Sequence, residues 1–259
     1  MSKKPDNHEQ DKKEELAEGT LMSHLLELRS RLMKAVLAIF AVVIALTPFA
    51  NRVFDIVSAP LRDVLGDQEM IVIKPASPFL TPFKATFFAA LFIAMPVVLF
   101  QIWRFVAPGL YRREKRFALP LLISSIVLFY IGMAFAYLVV FKVMFGFFAK
   151  SVPGGVVMSP DIDAYLDFVL GMFLGFGLAF ETPIATMMLV WSGLVPIKAM
   201  TGARAYVFLG CFVAGMLLAA DVFSMTLLAV PMYLLYEAGL LVARIMMPEK
   251  IPVEKEAGT

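Results

Sequence analysis

Residues 168–191 form an apolar run that contains one ionisable residue, Glu181. As a helix these 24 residues would extend roughly 36 Å, more than the about 30 Å of hydrocarbon in a bilayer. An ionisable group near the middle of such a helix costs on the order of 2.5–3.5 kcal/mol to insert, and it usually faces a partner, a cavity or a pathway instead of lipid. The run therefore predicts a membrane-spanning helix with a polar site inside it.

The composition agrees with a membrane protein, since 60% of the residues are hydrophobic and the mean hydropathy is +0.81. The net charge of +2 provides no field that would attract nucleic acid. A single cysteine, Cys211, excludes a disulfide framework, and both histidines precede the first apolar run, which excludes a buried histidine relay. About thirty polar residues also precede that run, so no cleavable signal peptide is expected.

Six spans are predicted within a membrane domain over 20–247, which makes the fold class an all-α polytopic membrane protein. Residues 1–19 are predicted to be a disordered cytoplasmic tail, and 248–259 a cytoplasmic C-terminal tail. Leucines spaced by four, three and four residues predict an amphipathic helix over 20–34. The predicted spans are 35–50, 85–103, 117–141, 168–191, 205–220 and 222–243, of which the last two are short.

Two longer loops are predicted on the outer side, over 51–83 and 142–166. In the first, an apolar stripe with Pro60 near its end is predicted to lie on the membrane surface, and the prolines of 74–83 argue against a regular helix. At the end of the second, Ser159 is the predicted N-cap of the fourth spanning helix, with Pro160 as its first residue.

The distribution of basic residues predicts the orientation of the chain. The segments predicted to face the cytoplasm contain 17 lysines and arginines, and the opposite segments contain 6. By the positive-inside rule, both termini are then cytoplasmic.

Two acidic residues, Glu27 and Glu114, lie among basic and apolar residues at the predicted cytoplasmic face. In one interpretation they pair with neighbouring arginines, Glu27 with Arg31 at i,i+4, for a few tenths of a kcal/mol. In the other, rigidly held carboxylates accept guanidinium groups of a ligand in bidentate fashion. A further small-residue pattern, GMFLGFG, is typical of close helix packing.

Several motifs, in order over residues 20–245, resemble the TatC family of the twin-arginine translocase. They are HLLELRSRL, SAPL, ASPF, FVAPGLYRREKR, FGLAFETP, DVFS and LLAVPMYLLYE. The resemblance implies a six-helix bundle curved like a cupped hand, which acts as receptor for folded proteins with twin-arginine signal peptides. It also implies work with the single-span TatA and TatB proteins, self-association, a bacterial cytoplasmic (inner) membrane location and use of the proton-motive force, with no nucleotide bound.

The resemblance also implies roles for individual residues. Glu27 and Glu114 match two family glutamates tied to twin-arginine recognition, and Arg29, Phe105 and Pro108 match neighbouring positions of the same motifs.

Other positions match the family at the outer face and within the membrane. Pro60 matches a proline of the first outer loop, Asp221 an acid of the last outer turn, and Glu181 the intramembrane glutamate. The chain departs from the family at Met225, where a glutamine associated with docking of partner helices is common, and at 218–220, where prolines are common.

Glu181 leaves two interpretations open: a neutral structural acid bonded to a neighbouring helix, or a polar pocket for substrate or a partner helix. An alternative function is a proton- or ion-coupled small-solute transporter using Glu181, although no internal repeat is found. The sequence contains no nucleotide-binding glycine loop, metal constellation or catalytic triad, so neither a cofactor nor an enzymatic activity is predicted. Glu237 is predicted to pair with Arg244 two turns on.

Overall fold

The computed structural model describes residues 7–65, 69–106, 118–154, 156–218 and 221–246. These residues are almost entirely helical, so the predicted all-α fold is confirmed. The α-helices are α1 (Asn7–Leu46), α2 (Ala50–Leu65), α3 (Ser77–Val106), α4 (Ala118–Phe135), α5 (Phe141–Ser151), α6 (Ile162–Ala179), α7 (Thr182–Trp191), α8 (Ile197–Gly202), α9 (Arg204–Leu218) and α10 (Val222–Met246).

Five segments of the described chain are long and apolar enough to cross a membrane. They are Leu25–Asp63, Ser77–Phe105, Leu119–Ser151, Ile162–Trp191 and Val222–Ile245. The remaining predicted span corresponds to α9, whose 15 residues extend only about 22 Å. The predicted total of six spans therefore stays a prediction, because α9 crosses a bilayer only where the bilayer is thin.

The first helix is longer than predicted. α1 begins at Asn7 and continues without a break through the predicted amphipathic segment and the first span. A disordered tail was predicted over 1–19, but residues 7–19 are helical; their glutamate, lysine, leucine and alanine are good helix formers and extend a helix that already exists. The helix ends at Leu46, just before a 3₁₀ turn containing Pro48.

The first outer segment contains α2, whose apolar stripe mostly faces the protein. Leu61 is fully buried, Val53 and Val57 pack against the core, and Ile56 is exposed. The hydroxyl of Tyr165 donates a hydrogen bond to the carbonyl oxygen of Val57 at 3.1 Å. The stripe that was predicted to lie on the membrane surface therefore lies largely against the helix bundle.

The prediction of no regular helix over 74–83 was wrong beyond residue 76, because α3 begins at Ser77. Pro78 lies in the first turn, where backbone N–H groups have no helical partner, so a proline loses nothing there. Pro82 removes one further bond close to the helix end. In the second predicted outer segment, the third span continues through a π-helical turn (Ala136–Val140) into α5, which shortens the predicted 142–166 loop to residues 152–161.

The N-terminal ends of α3 and α6, which are predicted to face outward, are held together by a short bridge and an ion-pair cluster. Ile71 pairs with Asp161, whose carboxylate accepts hydrogen bonds from the N–H groups of Ile73 and Ala164. Asp161, and not the predicted Ser159, is therefore the N-cap of α6. Ser159 and Pro160 precede the helix in extended backbone beside Ile71, whose N–H donates to the carbonyl oxygen of Pro160. The Asp163 carboxylate binds Lys74 at 2.8 Å and Lys84 at 3.0 Å. The hydrogen bond from Lys74 to Asp163 and the negative charge of that carboxylate raise the pKa of Lys74.

The core lies where α3, α4 and α6 meet. The ring centroid of Phe92 in α3 lies 6.4 Å from that of Phe129 in α4 and 5.9 Å from that of Phe173 in α6. α4 and α6 approach closely because Gly132 lies against the backbone of Phe176 and Gly177 lies against the ring of Phe129. The packing interpretation of GMFLGFG therefore holds for Gly177.

Candidate functional site

Glu27 lies on the face of α1 that is turned toward the bundle. Two turns further along this face Ala35 is buried, one turn further the side chain of Arg31 is 14% exposed, and α1 packs mainly against α3. The side chain of Glu27 itself is 39% exposed. Its carboxylate is therefore held by a packed helix and remains accessible.

The carboxylate of Glu27 binds a guanidinium group in the described structure. Arg31 Nε donates to Glu27 Oε1 at 3.1 Å, and Arg31 Nη2 donates to the same oxygen. The predicted i,i+4 pair is confirmed. Because the guanidinium presents two N–H groups to this carboxylate, the pair also illustrates the contact that an arginine of a ligand would make after displacing Arg31.

The other residues predicted for the cytoplasmic site are distributed unevenly. Phe105 is half-buried near the C-terminal end of α3, the helix that packs against Glu27's face of α1. Arg29 is exposed and two residues from Glu27, which places it on the opposite side of α1. Glu114 and Pro108 lie outside the described residues.

Glu181 lies at a break between two helices. α6 ends at Ala179, α7 begins at Thr182, and Pro183 follows in the first turn, where its missing N–H is tolerated. Sequence reasoning predicted one continuous helix here. Along Ile162–Trp191 the break is about two-thirds of the way toward the predicted cytoplasmic end.

One oxygen of the Glu181 carboxyl group is bonded and the other is not. The hydroxyl of Ser125 in α4 donates to Glu181 Oε2, whereas Oε1 is buried without a hydrogen-bond partner among the described residues. Part of the structural interpretation is therefore seen, since the acid is bonded to a neighbouring helix. A buried acceptor without a partner costs about 1–3 kcal/mol, so Oε1 is available for another donor.

Sequence reasoning did not single out Ser125. The signal was Ser124-Ser125 within an otherwise apolar span, since hydroxyls in such a span need an acceptor. Which of the two serines meets Glu181 depends on the rotation of α4 toward α6.

At the predicted outer side, Asp221 caps α10 by accepting a hydrogen bond from the N–H of Ser224 at 2.8 Å. Met225 is half-buried, and its backbone carbonyl lies against Gly215, where an added Cβ would be only 2.8 Å away. Pro60 is buried within α2. These three residues thus have structural contacts, and the contact at Met225 is with the neighbouring α9.

The predicted pairing of Glu237 with Arg244 was wrong. Glu237 Oε2 accepts a hydrogen bond from Arg204 Nη2 at 2.6 Å, and Glu237 Oε1 accepts one from the hydroxyl of Tyr233 at 2.8 Å. Arg204 begins α9, the helix next to α10, so its side chain reaches Glu237 from across the helix pair.

Comparisons with known proteins show the family to which the chain belongs. The sequence model of the family described as "Sec-independent protein translocase protein (TatC)" matches residues 23–231. The chain is 57% identical over 221 residues to the TatC protein of Azotobacter chroococcum, covering 85% of this chain and 87% of the relative. It is 48% identical to that of Escherichia coli K12, covering 86% and 88%. A crystal structure described as "Twin Arginine Translocase Receptor- TatC" superimposes with a TM-score of 0.79 at 34% identity, covering 86% of this chain and 98% of that one. The chain belongs to the TatC family of Sec-independent protein translocase proteins.

Proposed function

We propose that this chain is the receptor for twin-arginine signal peptides and the core subunit of a translocase that exports folded proteins across the cytoplasmic membrane. Family membership supports this over the small-solute transporter. The observation within the chain that supports it is Glu27, an accessible carboxylate on a packed helix that already binds one guanidinium group.

In this proposal, the two arginines of the signal peptide bind Glu27 and Glu114, with Phe105 and Pro108 next to them, whereas Arg29 lies on the other side of α1 and contributes only its charge. Each charge-assisted bond to a carboxylate contributes about 1.5–3 kcal/mol, and the planar guanidinium matches a carboxylate in a way that a lysine ammonium does not. A signal peptide that carries two lysines should therefore bind much more weakly.

The test of the function is the capture of a signal peptide by the purified full-length protein. A peptide with RR is expected to cross-link and co-purify, and the same peptide with KK is expected to do so at least tenfold less. Equal capture of the two peptides would contradict the proposal, because a solute transporter would ignore the difference.

The family resemblance further supports assembly with single-span TatA and TatB subunits, self-association, and translocation driven by the proton-motive force. Glu181 would take part inside the membrane. Its Oε1 has no hydrogen-bond partner among the described residues and can accept a hydrogen bond from a polar group of a signal peptide or partner helix.

Orientation gives the first testable prediction. Because 17 of the 23 basic residues lie in segments assigned to the cytoplasm, reporter fusions after Ser159 should read as outside, and fusions after Glu114 and Glu249 as inside. Paired alkaline phosphatase and fluorescent-protein fusions measure this. An outside result at Glu249 would exclude an even number of spans.

Glu181 gives the second prediction. Glu181→Ala should lower export of a folded reporter several-fold while the protein still inserts, since hydrogen bonds inside membranes average about 0.6 and reach about 1.7 kcal/mol. Glu181→Gln should retain most export if hydrogen bonding is what matters.

Ser125→Ala is the matched control, because it removes the internal bond and leaves the carboxyl group in place. Export should stay near normal in this variant if Glu181 docks a partner. If Ser125→Ala and Glu181→Ala lose export and thermal stability to the same extent, Glu181 is a structural acid.

A further inference from the structure

We propose that an anionic phospholipid of the inner leaflet binds between the ends of α9 and α10, with its phosphate against Arg204 and Arg244. The inference uses the orientation proposed above but not the signal-peptide function. It rests on a cavity of about 280 Å³, which is lined by Arg204, Glu237, Ala238, Leu240, Leu241 and Arg244.

The charges around this cavity are unbalanced. Glu237 is the only acid among the described residues of the lining, and its two oxygens already accept hydrogen bonds from Arg204 and the hydroxyl of Tyr233. Within the part of the chain that the structure describes, Arg244 has no carboxylate at salt-bridge distance. Two guanidinium groups against one carboxylate leave a net charge of +1, which an anion would complement.

The depth of the cavity favours a lipid phosphate over a surface counterion. α9 extends only about 22 Å, so its two ends cannot both lie at the headgroup layers of a bilayer of ordinary thickness. Arg244 lies seven residues beyond Glu237, or roughly 10 Å, and helical side chains lean back toward the N-terminus, which directs its guanidinium toward the cavity. An inner-leaflet headgroup drawn toward α9 would meet both arginines.

The apolar side of the cavity would contact the acyl chains of the lipid. Leu240 is buried in a cluster with Met200 and Tyr236, and it lines the cavity on its protein side. Leu241 is 59% exposed toward the surroundings, where an acyl chain can run along it. Guanidinium groups at one end and leucines at the other match a phospholipid, whereas a free phosphate would use only the arginines.

The proposal is tested by native mass spectrometry of the full-length protein in detergent, titrated with phosphatidylglycerol or phosphatidylethanolamine. Phosphatidylglycerol is expected to bind preferentially. Arg244→Gln should weaken its binding about fivefold, the effect of one basic residue near an anionic headgroup. Arg62→Gln, which removes an exposed arginine of α2 paired with Asp55, is the control and should bind like the wild type. Glu237→Gln should strengthen binding, since it removes the competing carboxylate.

Three results would overturn the proposal: equal binding of the two lipids, unchanged phosphatidylglycerol binding in Arg244→Gln, or displacement of the lipid by millimolar inorganic phosphate. The last result would identify a free-phosphate site. Melting temperatures of the variants should match that of the wild type, and the opposite directions expected for Arg244→Gln and Glu237→Gln separate a lost ligand contact from general damage.

Discussion

Glu27→Lys is expected to abolish binding of a twin-arginine signal peptide while the protein remains inserted and folded. The substitution removes a carboxylate that accepts guanidinium N–H groups and places a third cation beside Arg29 and Arg31. Loss of two charge-assisted bonds, at about 1.5–3 kcal/mol each, corresponds to a loss of more than a hundredfold in affinity. Binding of a fluorescent signal peptide to the purified protein in nanodiscs measures the effect. Glu114→Lys is expected to behave in the same way.

The controls separate recognition from net charge. Glu69→Lys makes the same charge change at an exposed position in the first outer segment and should bind the peptide normally. Glu27→Gln and Glu114→Gln should weaken binding less than the lysine substitutions, because an amide oxygen still accepts a hydrogen bond. Wild-type affinity in Glu27→Lys or Glu114→Lys at matched expression would refute the assignment of that residue.

Gly132→Ala is expected to destabilise the bundle by about 1–3 kcal/mol, and Gly132→Leu to prevent α4 and α6 from packing. A Cβ at this position would lie 2.5 Å from the carbonyl oxygen of Phe176 and 3.0 Å from Cβ of Phe180. Because the first of these atoms belongs to the backbone of α6, the helices must separate to admit it. The separation would also disturb the packed aromatic core between α3, α4 and α6, so export should fall together with stability.

Thermal unfolding in detergent, followed by tryptophan fluorescence, measures the effect at position 132. Gly146→Ala and Gly210→Ala are the matched controls, since an added Cβ at either position meets nothing within 4 Å. These variants should melt at or slightly above the wild-type temperature, because alanine is the better helix former. A melting temperature for Gly132→Ala equal to those of the controls would show that α4 and α6 are not in contact there.

The long apolar runs were sufficient to predict the spanning helices, because an apolar segment of about 20 residues has few alternatives to a transmembrane helix. The break at Asp221 was also predictable, because the apolar block 205–243 is too long for one span and is interrupted at this charged residue. The i,i+4 pair of Glu27 and Arg31 followed from spacing alone, because both residues lie on one helix.

The start of α3 and the length of α1 did not follow from local patterns. Prolines at 78 and 82 suggested an irregular loop, yet helix formation from Ser77 costs little where the first N–H groups have no partner anyway. Likewise, a polar segment that would be disordered alone is helical over 7–19, where it continues a formed helix and needs no new nucleus.

Contacts between helices were decided only by the tertiary structure. The sequence placed Glu181 inside the membrane, but its bond to Ser125 depends on how α4 and α6 are rotated and on the close approach at Gly132. The choice of Arg204 over Arg244 as partner of Glu237 depends in the same way on the packing of α9 against α10. The physical reason is that hydrophobic periodicity and spacing describe one helix at a time, whereas a hydrogen bond between helices requires two faces to meet at the same depth.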